Sequence, residues 1–78
     1  MERRNIIGVR IHQRRKTAKP PITQLDLVAR LQVSGVMIDQ SALSKIESGQ
    51  RAVSDIEVIA FAKALGVTAG WLLEESKS

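Results

Sequence analysis

A chain of 78 residues with twelve Lys or Arg, eight Asp or Glu and a formal charge of +4 has room for one domain, residues 1–78, around one small core. It holds no Cys and a single imidazole, His12, which excludes disulfides, thiolate catalysis and a two-histidine metal site, so no metal or other cofactor is expected. No apolar run approaches the roughly 20 residues of a membrane span, and the charged start lacks an apolar signal core, so we expect a soluble cytoplasmic protein.

The carboxylates show no paired pattern and no nucleophile–base constellation exists, which argues against an enzyme. Charge is uneven: residues 1–19 carry seven Lys or Arg against one acid, and residues 52–78 two against four. A basic end suits a polyanionic partner.

Val and Ile nowhere alternate with polar residues over four positions, so no strand is expected, and caps mark off five helices. The first spans Arg3 to Lys16 with Ile7 and Ile11 one turn apart, and Pro20-Pro21 ends what precedes it. Thr23 starts the second, with Asp26 as the return half of a capping box; Leu27, Val28 and Leu31 form its buried stripe. Asp39 caps the third helix, and Gly49 supplies the left-handed residue that ends it.

Ser54 and Glu57 make a capping box for the fourth helix. Val58, Phe61, Ala62 and Leu65 follow at helical spacing, and Gly66 closes it. Thr68 caps a last short helix with Trp71, Leu72 and Leu73, in which Gly70 costs about 1 kcal/mol. The expected architecture is an all-α five-helix bundle. Its core is Ile11, Leu27, Leu31, Val33, Leu43, Ile46, Val58, Phe61, Leu65 and Leu72, with Trp71 joining it. His12 is expected to be an exposed helix residue.

The stretch "DQSALSKIESGQR", Asp39 to Arg51, carries the functional signal. Its apolar seam is narrow, Leu43 and Ile46, and its other side chains are small and polar or, at Lys45, a lone cation. Such a helix docks with one side and offers the other to a groove, and the DNA major groove, about 12 Å wide, admits one helix. Gln matches adenine through a paired donor and acceptor, Lys suits guanine, and Ser donates or accepts. Short side chains at Ser41, Ala42 and Ser44 let the backbone approach. Gln40 with Ser44, and Ser41 with Lys45, are each one turn apart and share one face.

At this point the sequence resembles a known family, the phage repressor and Cro type of helix-turn-helix, also called the xenobiotic-response-element family. "IGVRI" (7–11) is similar to the family's first helix, "ITQLDLVARLQVS" (22–34) to its second, "SALSKIESGQR" (41–51) to its third with the Ser-x-x-Glu-x-Gly ending, and "VIAFAKALGVTAGWLL" (58–73) to the closing helices. Two departures stand out. The turn "VSGVMIDQ" is several residues longer than the usual one, and Pro20-Pro21 is inserted before the second helix. The long turn bears on how the third helix docks but leaves its seam untouched.

The resemblance implies a lambda-repressor-like bundle. It places Gln40, Ser41, Ser44 and Lys45 at base-reading positions, and Gln24, with Thr23 beside it, on a DNA phosphate. It also implies an internal ion pair between Arg15 and Glu47, the rival reading giving Arg15 to the DNA backbone. Arg14, Lys16, Lys19 and Arg51 are further candidate phosphate contacts.

Val36, Met37 and Ile38 are unusual in a turn, and Ile56 and Ile59 lie off the main stripe of the fourth helix. We expect the turn to fold back so that the two sets cover one another; a dimer interface is the alternative.

The expected function is sequence-specific binding of double-stranded DNA by a transcriptional regulator of bacterial or phage type, a repressor acting as a homodimer on a palindromic operator. No small-molecule ligand or membrane is implied. A DNA-binding antitoxin and a protein-interaction module that kept the fold are the alternatives. Salt dependence separates the last from the first two.

Overall fold

A computed structural model of the chain describes residues 6–73. Their backbone forms α1 (Ile6–Thr17), α2 (Gln24–Val33), α3 (Gln40–Glu47), α4 (Asp55–Leu65) and α5 (Ala69–Leu73), with no strand among them. The expected start of the first helix at Arg3 lies outside the described residues. Each cap acts through a short polar side chain that takes up an orphan N–H of a first turn. Thr23 Oγ1 accepts from Asp26 N at 3.0 Å, Asp39 Oδ1 from Ala42 N at 2.8 Å, and Thr68 Oγ1 from Trp71 N at 3.0 Å. The complete box is made at α4, where Ser54 Oγ accepts from Glu57 N and the Glu57 carboxylate accepts in return from Ser54 N. Asp26, one methylene shorter than Glu57, makes no such return, which corrects the box expected at α2.

α3 ends at Gly49, whose φ of 83° lets Gln50 N turn back to Lys45 O at 2.7 Å. An L side chain rarely adopts that angle. α1 packs against α3, α4 and α5; α2 packs against α3 and α4; and α4 packs against α5. Between them Ile11, Leu27, Leu31, Leu43, Ile46, Phe61, Leu65 and Leu72 are fully enclosed, with Val58 beside them.

Val33, expected in this core, is 91% exposed. It follows the buried Leu31 by two residues, about 200° further round the helix, so the two cannot share a face. Ala18, Ile22, Ile38, Ala60 and Ala62 complete the core instead. Ala18 and Ile22 come from the Pro-Pro connection. Trp71 is half-buried rather than enclosed, its ring covered by the Arg10 guanidinium at 4.1 Å from the centroid.

The two apolar sets do not cover one another. The turn packs on α2, where Val28, Gln32, Val36, Met37, Ile38 and Asp39 border a shallow cleft. Ile38 is buried there while Met37 is 74% exposed. Ile59 borders a separate cleft with Ile7, Val53, Val58, Ala69 and Leu73, and it and Ile56 face solvent.

Gly8 sets the distance between α1 and α3. A Cβ there would press on the Ile46 carbonyl oxygen and stand 3.1 Å from its carbon and 3.2 Å from Glu47 Cα. These are backbone atoms, so relief requires moving the end of α3. Gly8→Ala gains helix propensity of about 1 kcal/mol, yet we expect a net loss of about 1–3 kcal/mol from overpacking, measured by chemical denaturation. A variant as stable as the parent would show that α3 has room to shift.

Candidate nucleic-acid interface

The outer face of α3 presents Gln40, Ser41, Ser44 and Lys45, all exposed, while Leu43 and Ile46 turn inward. The inner seam decides the outer face: with two buried residues three apart, the polar ones have only one side left. Gln24, the first residue of α2, stands over this face. Its Oε1 accepts from Gln40 Nε2 and from Ser44 Oγ, each at 3.3 Å. Ser41 and Lys45 make no side-chain hydrogen bond among the described residues, so the four divide into two tethered to α2 and two free.

Glu47 closes the arrangement from below. Arg15 grips its carboxylate as a fork, Nε to Oε2 and Nη2 to Oε1, both 2.9 Å. Side-chain exposures are only 9% and 6%. Arg15 Nη1 also donates to Ile22 O at 3.1 Å, which holds the connection leading into α2. Gln24 Nε2 donates to Glu47 Oε1 at 3.4 Å, and His12 Nδ1 lies 3.0 Å from the same oxygen. Burial pushes the Glu47 carboxyl up, but the hydrogen bonds from Arg15 and His12, the charge of Arg15 and the Gln24 amide outweigh it and hold the group below the usual carboxylate range.

The remaining sequence candidates separate. Thr23, Lys16 and Lys19 are exposed, Thr23 serving the α2 cap. Arg14 is turned to the far end of α4, where its Nε donates to Leu65 O at 3.0 Å. Arg51 is held bidentately by Glu57 at 3.2 and 3.0 Å, and the guanidinium in turn keeps the Glu57 carboxyl below its ordinary range. Neither arginine is brought to Gln24. Two residues outside the sequence candidates for the site are joined to it: Gly8, and His12, which is exposed on α1 as expected. Gly8 carries no chemistry to flag it. For His12 the visible cue was its place one turn before Arg15 on the same helix face.

Glu47→Ala is expected to cost about 3 kcal/mol, because Arg15 would keep its charge in a nearly dry site. Removing both side chains should cost less than the two single losses added together, and strict additivity in denaturant titrations would exclude the pairing. The acid branch follows from the depressed carboxyl. Its stabilisation is whole above the unfolded value of about 4.3 and fades as pH falls through the lower folded value. Glu47→Gln should therefore flatten the stability profile on the acid side.

The profile of the helix-turn-helix family matches residues 22–72, which takes in α2, α3, α4 and all but the last residue of α5, and leaves α1 outside. No curated protein and no solved structure matches the chain. Among the described residues, no helix is long and apolar enough to cross a membrane. With Gln24 locked over an exposed polar α3 in an all-helical bundle, and with more than half of the chain covered by the profile, the protein belongs to the Cro and phage repressor type of the helix-turn-helix family, a family of DNA-binding rather than enzymatic proteins.

Proposed function

We propose that this protein is a sequence-specific regulator of transcription that inserts α3 into the major groove of an operator and represses by occupying it. The observation that carries the reading is the α3 outer face, whose polar side chains are exposed and braced from α2 by Gln24. Lys45 and Ser41, without internal partners, are free to meet base edges at once. Gln40 and Ser44 read bases while anchored to Gln24. Gln24 and Thr23 lie at the start of α2, where backbone N–H groups and the helix dipole favour a phosphate. Lys16, Lys19 and, once released from their carbonyl and carboxylate partners, Arg14 and Arg51 add charge along the same backbone.

The protein acts as a homodimer on a palindrome, its two α3 helices about one helical turn, roughly 34 Å, apart. Exposed Ile56, Ile59 and Leu73 give it an apolar surface for a second copy. The same exposed residues support a second reading, a DNA-binding antitoxin whose apolar face meets a toxin. A protein-interaction module with no DNA role would leave the braced α3 face without a purpose.

Selection from a random duplex pool tests the reading, and a palindromic site is the expected result. On that site Gln24→Ala should weaken binding to all sequences by a similar factor, because phosphates look alike everywhere. Lys45→Ala should instead lose about 1–3 kcal/mol of discrimination at one base pair. Equal and uniform losses for the two variants, measured across every single-base change of the site, would remove α3 from the role of reader.

A further inference from the structure

His12 is the one imidazole of the chain, and it stands beside the proposed phosphate contact. Its side chain is 50% exposed and its Nδ1 lies 3.0 Å from Glu47 Oε1, the oxygen that Gln24 Nε2 reaches at 3.4 Å. Ring and amide thus meet on one carboxylate oxygen and are neighbours at the surface. With Nδ1 turned to the buried Glu47, Nε2 is the outward nitrogen of the ring.

The two protonation states of this ring make different surfaces. A neutral ring can accept through Nδ1 from Arg15 Nη2, 3.3 Å away. A protonated ring donates Nδ1–H to Glu47 and adds a positive charge to the Nε2–H that the neutral ring, accepting through Nδ1, already presents outward. The buried carboxylate orients that cation on the same side of Glu47 Oε1 from which the Gln24 amide approaches.

We propose that His12 is a phosphate ligand of the DNA-bound protein, charged in the complex by uptake of one proton, so that DNA affinity depends on pH. The inference rests on Gln24 being a phosphate contact. The charged groups around the ring are Glu47 from α3 and, on its own helix, Arg15 and, one turn on, Lys16; α2 contributes the uncharged Gln24. None of these is of a type that ordinarily titrates between about pH 5.5 and 8, where an imidazole does. Phosphate favours the charged ring, so the added affinity is full on the acid side and is lost as pH rises through that window.

Affinity is to be measured from pH 5.5 to 8 for wild type, His12→Gln and His12→Lys, on the selected duplex and on a scrambled duplex of the same composition. Wild type should weaken about fivefold with rising pH, by a similar factor on both duplexes. His12→Gln should be flat at the weaker level and His12→Lys flat at the stronger. The slope of log affinity against log salt should be steeper by about 0.9 for wild type at the acid end than at pH 8. In NMR titrations the ring's midpoint should rise when the selected duplex is added.

A His12→Gln variant with the wild-type pH profile overturns the inference, as does a midpoint that DNA leaves unmoved. The absence of a steep salt slope at every pH overturns the DNA-binding reading itself, and this inference with it.

Discussion

The fork between Arg15 and Glu47 is the constraint on which the polar face of α3 depends. Arg15 reaches from α1 to the last residue of α3 and, with its third nitrogen, to the carbonyl of Ile22 ahead of α2. Three helices are thereby referred to one buried charge pair. Such pairs add little net stability against an apolar alternative, but they are costly to break and tolerate few geometries. That intolerance fixes the orientation of α3 relative to α1 and α2. Gly8 works beside the fork: without a Cβ, the α1 backbone comes close to the end of α3, where a Cβ would press on the Ile46 carbonyl. Gln24 then carries the alignment outward, from Glu47 to Gln40 and Ser44.

The cations divide by type. Every arginine among the described residues is occupied within the molecule: Arg10 on Trp71, Arg14 and Arg30 on the last carbonyls of α4, Arg15 on Glu47, Arg51 on Glu57. The described lysines, Lys16, Lys19, Lys45 and Lys63, make no ion pair or side-chain hydrogen bond. A planar guanidinium suits fixed directional bonds, whereas an ammonium on a flexible stem suits a diffuse polyanion. The basic amino-terminal third of the chain is therefore partly scaffold, and its net charge overstates the cations free to meet DNA.

The long turn between α2 and α3 is accommodated by anchoring both of its ends. Ser34 and Val36 donate back to the last turn of α2, Ile38 inserts into the core, and Asp39 caps α3. Extra residues in a surface connection cost little entropy, provided the helix that follows starts in the right register. Burying Ile38 directly before the cap secures that register, so the Leu43 and Ile46 seam docks despite the added length. Met37, between these anchors, is left outside.

Much of the fold was legible in the residues alone. Caps, glycine stops and the spacing of Leu27, Leu31, Leu43, Ile46, Val58, Phe61 and Leu65 are local signals. Helix geometry turns such signals into faces without reference to the rest of the chain. The polar face of α3 was legible for the same reason, since two seam residues leave one side for everything else. Val33 is outside the core because it closes α2 about 200° round from Leu31, on the face turned away from the other helices. Which apolar turn residue goes in, Ile38, and which stays out, Met37, depends on what stands opposite, as does the exposure of Ile56 and Ile59 on α4, and spacing does not contain that.

The sequence by itself determined the helices, their inward stripes and a polar α3, because these follow from backbone hydrogen bonding and a period of 3.6. Only the tertiary structure decided that Arg14 and Arg51 turn to internal partners and that His12 and Gln24 meet on one oxygen of Glu47. It also decided that Gly8 is a point of backbone contact. All but the Arg51–Glu57 pair join residues far apart in the chain, and a hydrogen bond between distant groups is settled by how the helices cross, which no local pattern encodes.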